Sequence, residues 1–252
     1  MSIELLKLVQ EANSYLNINA INDYCPNGLQ VEGKSLVGIL ISGVTASQEL
    51  IDAAIAQQAD AIIVHHGYFW KNENPCILGI KRNRLKSLLE HDISLLAYHL
   101  PLDLHAVVGN NVQLARYLNI SVERDMRSDD TQNIGLIGTL NKPCRTSEFA
   151  SKVRNVLNRD PMVINGDKQV TRIAWCSGGG QNHIEQAIDS GADLYLTGEA
   201  SEKTYHIARE YNIGFIAAGH HATERYGVKA LGDYLADHFA IKHQFIDCPN
   251  PI

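Results

Sequence analysis

The chain lacks any cysteine motif. Its five cysteines, Cys25, Cys76, Cys144, Cys176 and Cys248, are odd in number and widely scattered, with no C-x-x-C spacing among them. This argues against a zinc knuckle or a disulfide framework and marks them as reduced thiols. No stretch approaches eighteen uninterrupted apolar residues, so no membrane-spanning helix is expected. The opening segment, MSIELLKLVQEANSYL, has neither the basic start nor the continuous apolar run of a secretory signal, and the expectation is a cytoplasmic protein with no membrane partner. Basic residues are in deficit. Lys and Arg number 22 against 28 Asp and Glu, a net charge of -6 with neutral histidines. That balance repels an extended phosphodiester and disfavours nucleic acid as a partner. A nucleotide or other small anion stays admissible, because bound cations reverse the local field.

What is present suits a globular α/β protein. Over 252 residues, 45% are hydrophobic, enough for one large α/β domain or two lobes. The opening segment is patterned as an amphipathic helix, and a turn-rich loop, NDYCPNGLQVEG at 22–33, follows either as a connector or as a ligand-contacting rim. Strands are expected at 36–43, 59–67 and 93–99, with helices at 45–58, capped by Thr45 or Ser47, at 80–90, and at 109–118, capped by Asn110 or Asn111. The polar stretch 119–132 reads as a lobe boundary. Beyond it come strands at 135–140, 162–166, 172–180, 192–199 and 213–220. Helices are expected at 146–158, capped by Thr146, at 182–191 and at 201–211, and a closing amphipathic helix follows.

The chemistry gathers at strand ends. AIIVHHG at 61–67 is a buried strand running into His65 and His66, and Gly67 lets the chain turn there. The unit ISG, helix, Ala59-Asp60, apolar strand, HH recurs as CSG, helix, Ala192-Asp193, apolar strand, GE. Both copies then run through a helix to a strand ending near a histidine, His99 or His220, with Asp103 or Glu224 four residues later. The match needs a two-residue slip at the first glycine. It is either an internal repeat or the ordinary recurrence of strand-helix-strand units. In a parallel sheet the carboxyl ends of strands share one edge, where ligands bind, so these residues are expected to cluster. Imidazole and carboxylate together suit zinc, manganese or iron, and Asp103 and Glu224 are the carboxylates available to bridge two ions. In GHHATERYG at 219–227, Ala222 or Thr223 is expected to open the last helix and place Glu224 in its first turn, facing His220. The plainer reading makes Thr223 an N-cap and Glu224 a helix-dipole partner. His221 is expected to point elsewhere, toward the surface or behind a ligand.

VHHG at 64–67, HLPLD at 99–103, GNN at 109–111, TGE at 197–199 and GHHATE at 219–224, with NGLQV near the start, resemble the GTP cyclohydrolase 1 type 2 homologue family, in order and over essentially the whole chain. The resemblance implies two α/β lobes with parallel or mixed sheets flanked by helices. It places a dinuclear metal site in the inter-lobe cleft and implies a homohexameric ring. Carried over motif by motif, the implied ligands of two divalent ions are His65, His66, Asp103, His220 and Glu224. The expected lobes are 1–125 plus 213–252, bearing the ligands, and 126–212.

The activity so implied is metal-dependent hydrolysis of a nucleotide-like small molecule by a metal-activated water; for GTP the attack would fall on purine C8. Glu199, His99 and His206 are the candidates for moving protons or for orienting a ligand, the latter role suiting His99 better. The alternative is a non-catalytic protein that binds, delivers or stores metal, or scaffolds a complex.

Overall fold

The computed structural model describes residues 1–126 and 135–252. In chain order the elements are β1 (Ile3–Glu4), α1 (Leu5–Tyr15), β2 (Gly28–Val31), β3 (Leu36–Val37), β4 (Ile39–Thr45), α2 (Gln48–Ala56), β5 (Ala61–His66), α3 (Gly79–Glu90), β6 (Ser94–Ala97) and α4 (Leu100–Leu104). They continue with α5 (Asn110–Tyr117), β7 (Ile120–Asp125), β8 (Leu136–Arg145), α6 (Thr146–Leu157), β9 (Met162–Ile164), β10 (Gln169–Trp175), α7 (Ile184–Asp189), β11 (Leu194–Thr197), α8 (Glu202–Glu210) and β12 (Gly214–Ala217). The chain closes with α9 (His220–Phe239) and β13 (Lys242–Phe245).

These elements form two compact units, Met1–Val108 with Gly227–Cys248, and Gly109–Tyr226 with Pro249–Ile252. The arrangement is discontinuous, but its divisions differ from 125/126 and 212/213. β7 pairs with β8, and β12 with β11, so both belong to the second unit's sheet by main-chain hydrogen bonding. Of the polar stretch 119–132, residues 120–125 are therefore strand, and 127–132 lie outside the described residues. β7 alternates poorly because only Ile120 of its six residues is buried, which hides it from a period-2 reading.

The first unit holds a five-stranded sheet in the order β13-β4-β5-β6-β2, parallel except for β2, which runs antiparallel to β6. Alternation along each strand divides the core in two. Leu40, Ala61, Ile63 and Leu96 face Leu5 and Leu8 of α1 and Val228, Leu231 and Leu235 of α9. Their neighbours Ile41, Ile62, Val64 and Leu95 face Leu50 and Ile51 of α2 and Leu85 and Leu88 of α3. A sheet covered on both faces needs near-continuous apolar strands, which is how β5 and β6 read. The loop expected at 22–33 contains β2, whose Gly28 and Leu29 pair with Ala97 and Leu96.

The second unit holds a six-stranded sheet in the order β7-β8-β10-β11-β12-β9, with β10, β11 and β12 parallel and the remaining pairs antiparallel. Ile173, Trp175, Leu194, Leu196 and Ile216 pack on Phe149 and Val153 of α6. Ala174, Tyr195 and Phe215 pack on Ile184 and Ala187 of α7 and Ala208 of α8. Among the described residues no helix is long and apolar enough to cross a membrane. All five cysteines are free thiols.

The cap assignments sort by what each side chain reaches. Ser47 caps α2, accepting from Leu50 N–H at 3.2 Å. Gly109 stands at the cap of α5, because Asn111 is drawn away to accept from Ser177 N–H at 2.8 Å. Thr146 is the first residue of α6, donating to Lys168 O, while Glu148 accepts from Arg145 N–H at 2.8 Å.

Candidate metal centre

In the first unit the parallel strands β4, β5 and β6 end on one edge, and their ends carry the candidate ligands. His65 and His66 close β5, and His99 follows β6 at the cap of α4, whose Pro101 is set for a first turn and whose Asp103 lies in that turn. His65 is fully buried. Its Nδ1 stands 2.9 Å from Tyr98 O, so the ring proton sits on Nδ1 and donates to that carbonyl. This leaves Nε2 with its lone pair, 3.5 Å from Asp103 Oδ2. A histidine whose tautomer is fixed by a carbonyl behind it is the usual state of a metal ligand. His66 Nδ1 lies 3.1 Å from Thr45 Oγ1, and its ring centroid is 4.6 Å from that of His65. Donor atoms of His65, His66 and His99 all lie within 4.8 Å of one another.

His99 is held from behind. Its Nδ1 is 3.0 Å from Asp23 Oδ1, and its backbone N–H donates to Asn27 Oδ1 at 2.8 Å. Asp23 Oδ2 accepts from Asn27 Nδ2 at 3.0 Å and from Leu100 N–H at 2.9 Å. Burial works to raise the Asp23 carboxyl, and the hydrogen bonds from His99 and Asn27, the His99 charge and the Leu100 amide outweigh it, holding the group at about 2. Cys25 adjoins this pair, and burial followed by the Asp23 charge pushes its thiol up to about 12, so it stays protonated. The 22–33 loop is thus a rim that touches a candidate site residue. Asp23 went unnoticed in sequence because only the fold brings it to His99, 76 residues away.

In the second unit the helix α9 begins at His220, earlier than the expected start at Ala222 or Thr223. His220 and Glu224 are therefore one helical turn apart, with Nε2 and Oε2 separated by 3.1 Å. Glu199, beyond the end of β11, places Oε1 2.6 Å from His220 Nδ1 and takes Gln181 Nε2 at 3.4 Å on its other oxygen. Burial would lower the His220 pKa, but the hydrogen bonds and charges of Glu224 and Glu199 overcome it and raise the imidazole to about 9. Two carboxylates on one imidazole concentrate negative charge, and a divalent cation at Nε2 and Glu224 would meet that charge in place of the proton. The donor set thus fits a metal ion.

Thr223 is no N-cap. Its hydroxyl donates back to Gly219 O and His220 O, both at 2.9 Å, and accepts Gly178 N–H at 2.9 Å. This ties the glycine triplet 178–180 to the start of α9. A Cβ on Gly178 would fall on Glu224 Oε1, and its φ of +63° also favours glycine. His221 is 8% exposed, and its N–H donates to Ile252 O at 3.2 Å, so it is not a surface residue. His206 is on the exposed side of α8, paired with Glu202 at 3.3 Å, and the structure does not bring it to the other candidates.

A further array resembles a hydrolytic triad. Ser42 Oγ is 2.8 Å from His243 Nε2, and His243 Nδ1 is 2.8 Å from Asp233 Oδ1. Ser42 lies inside β4 with no exposed surface, where no substrate carbonyl can reach it, so the array fastens β13 and α9 to β4.

A two-unit α/β protein with imidazole and carboxylate donors gathered at parallel-strand ends is the class these features define. The family model of Duf34/NIF3 (NGG1p interacting factor 3) matches residues 3–251, and the chain belongs to that family. It is 60% identical over 251 residues, covering 100% of both chains, to the GTP cyclohydrolase 1 type 2 homolog of Pseudomonas aeruginosa, and 50% identical to that of Escherichia coli, covering 97% of this chain and 98% of the other. Among solved structures it is similar to protein ybgI, described as of unknown function, at 48% identity and a TM-score of 0.95 over 99% of this chain and 100% of that one. It is also similar to TTHA1606 of Thermus thermophilus, at 32% identity and a TM-score of 0.88 over 99% and 100%.

Proposed function

We propose that the protein is a dinuclear metal-dependent hydrolase acting on a nucleotide-like small molecule, with His65, His66, Asp103, His220 and Glu224 as metal ligands. The observation that carries the reading is His65, whose Nδ1 proton is committed to Tyr98 O while Nε2 faces the Asp103 carboxylate. The names of the curated relatives supply the cyclohydrolase direction. Two bound divalent ions would supply a water ionised near neutral pH and polarisation of the electrophile. Zinc, iron and manganese all suit this donor set.

The chain's own groups divide the remaining work. Glu199 holds His220 by Nδ1, and Asp23 holds His99 in the same way. His99, beside His65 and His66, is in this reading the group that orients a ligand or moves a proton to or from the substrate. The protein works in the cytoplasm as a homohexamer, which light scattering on the purified protein checks.

The reading predicts two divalent ions per chain by elemental analysis and loss of both metal and turnover in the His65→Ala, His66→Ala double variant. Unchanged metal content in that variant overturns the ligand assignment. A screen of metal-reconstituted protein against nucleotides, cyclic amides and phosphoesters, with Glu224→Gln as control, tests hydrolysis. Full metal occupancy without turnover on any of them assigns the protein to metal binding or delivery instead.

A further inference from the structure

The loop leaving β5 carries aromatic rings up to the histidines. The Trp70 centroid is 6.0 Å from that of His66 and 5.1 Å from that of His99, with the Trp70 and His99 planes at 86°. Tyr24, from the 22–33 loop, stands 5.0 Å from His99 at 73° and 5.7 Å from Trp70 at 36°. We propose that Tyr24 and Trp70 form the subsite that receives a planar heteroaromatic ring of the substrate, presenting its edge to His66 and His99; this rests on the hydrolase reading and names which part of the substrate is held where.

Three observations support it. First, among the described residues neither ring belongs to a hydrophobic core of the first unit, and Tyr24 is 52% exposed. Rings recruited for packing are drawn into such a core, whereas rings left beside polar groups at a sheet edge offer a face to a ligand. Second, the Trp70 ring and the backbones that carry both rings are fixed. Trp70 Nε1 donates to Gly67 O at 3.2 Å, Trp70 N–H to Glu73 Oε2 at 3.2 Å, Tyr24 N–H to Asp23 Oδ1 at 2.7 Å, and Lys71 N–H to Tyr24 O at 2.7 Å. The last bond joins the two loops, so the ordering cost of binding is met in advance. Third, the loop is strained at both sides of Trp70. Phe69 has φ +66° and Asn72 φ +74°, and a bulky aromatic in the left-handed region persists where the surroundings demand it.

The chemistry selects the ligand class. The exposed π-surface of Tyr24, with Trp70 beside it, would hold a flat ring by stacking, independent of its hydrogen-bonding pattern, next to the His66 and His99 imidazoles. A linear amide or a bare phosphate gains little from such a surface.

Calorimetric titration of the metal-reconstituted full chain with guanosine, and with ribose 5-phosphate as a control that lacks the heteroaromatic ring, tests the subsite. Guanosine is expected to bind the wild type, with affinity falling at least about tenfold in Trp70→Leu and about fivefold in Tyr24→Leu, and staying within about threefold in Trp70→Phe. Ribose 5-phosphate should bind all four proteins alike. Absence of guanosine binding to the wild type, or unchanged guanosine affinity in Trp70→Leu and Tyr24→Leu, overturns the proposal. Tyr24 is exposed, so its variant keeps the test valid if Trp70→Leu fails to fold. Ring binding that depends on Trp70 without turnover of any nucleotide sinks the hydrolase reading and leaves the subsite standing; turnover indifferent to both aromatic substitutions does the reverse.

Discussion

Asp60 and Asp193 do the same thing in their own units. Asp60 Oδ2 accepts from Gly38 N–H at 2.9 Å and Ile39 N–H at 3.0 Å, where β4 starts. Asp193 Oδ2 accepts from Thr171 and Arg172 N–H, both at 2.9 Å, within β10. The main chain agrees. Asp60 N–H reaches Ile39 O and Asp193 N–H reaches Arg172 O, both at 2.9 Å, and their carbonyls accept from Ser94 and Gly214. The two Ala-Asp sites therefore mark an equivalent strand-helix-strand unit in each half, β4-α2-β5 and β10-α7-β11.

Removing the Asp60 charge should cost stability in a pH-dependent way. Burial raises this carboxyl, but the hydrogen bond from Lys34 and the two strand amides prevail and lower its pKa. A carboxylate depressed in the fold contributes stability that is fully present above its unfolded pKa of about 3.9 and is lost as pH falls through the folded value. Asp60→Asn should lower unfolding free energy by about 1–2 kcal/mol at pH 7. Urea melts at pH 7 and in strong acid should show the gap closing in acid; a gap independent of pH would contradict the charge argument.

Asp23→Ala should leave the sheet intact and disturb His99. The carboxylate receives His99 Nδ1, Asn27 Nδ2 and Leu100 N–H, so its loss frees the imidazole to rotate and loosens the start of α4. Partners of this kind typically account for about 10–100-fold in activity or metal affinity. The comparison is kcat and metal content for Asp23→Ala and Asp23→Asn, with the asparagine variant recovering part of the loss because it can still accept from His99. Equal behaviour of both variants and the wild type would show that Asp23 does not orient the ring.

Much of this was legible in sequence because period and punctuation agree there. β5 and β6 are apolar runs ending in His or Gly, and the Ala-Asp repeats precede their strands. At the far end of the repeat the two histidines are offset by one residue. Tyr98 N–H bonds Val64 O and Ala218 N–H bonds Thr197 O, so His99 corresponds to Gly219 and not to His220. The polar edge strands β7 and β13 were missed because little of their side-chain surface is buried. Asp23 and the Tyr98 carbonyl escape a sequence reading, and Thr45 reads only as a candidate helix cap, because they act on histidines only after the strands are laid side by side.

His243 should make stability rise with pH near neutrality. Burial, followed by the opposing Asp233 hydrogen bond and charge and a small adverse effect of Lys229, lowers its pKa below the usual 6.5, and Ser42 Oγ lies on its other nitrogen. Between the folded value and 6.5 the unfolded chain binds more protons, so stability is full above 6.5 and falls as pH drops through that window. His220 titrates with the opposite sign, so the diagnostic is a difference: the fall in urea midpoint from pH 7.5 to pH 5.5 should be smaller in His243→Asn than in the wild type. An identical fall would remove His243 from the account.

Gly178→Ala should disturb the second unit's proposed ligands without replacing either of them. Its Cβ would fall on Glu224 Oε1 and come within 3.1 Å of His220 Nε2, and the residue sits at φ +63°. The turn cannot retreat freely, because Gly178 N–H is bonded to Thr223 Oγ1 and Gly178 O accepts Gly198 N–H at 2.9 Å. Two adjustments compete. Either Glu224 swings from His220, separating the pair proposed to hold an ion, or the loop shifts and breaks the Thr223 bond that ties it to the start of α9. The left-handed backbone adds about 1 kcal/mol or more of strain. Elemental analysis after dialysis should show metal lost from Gly178→Ala at a chelator concentration that leaves the wild type loaded. Gly166→Ala, whose Cβ meets no atom closer than 3.6 Å, should match the wild type. Retention of metal in Gly178→Ala at wild-type affinity would mean that His220 and Glu224 need not stay together to hold it.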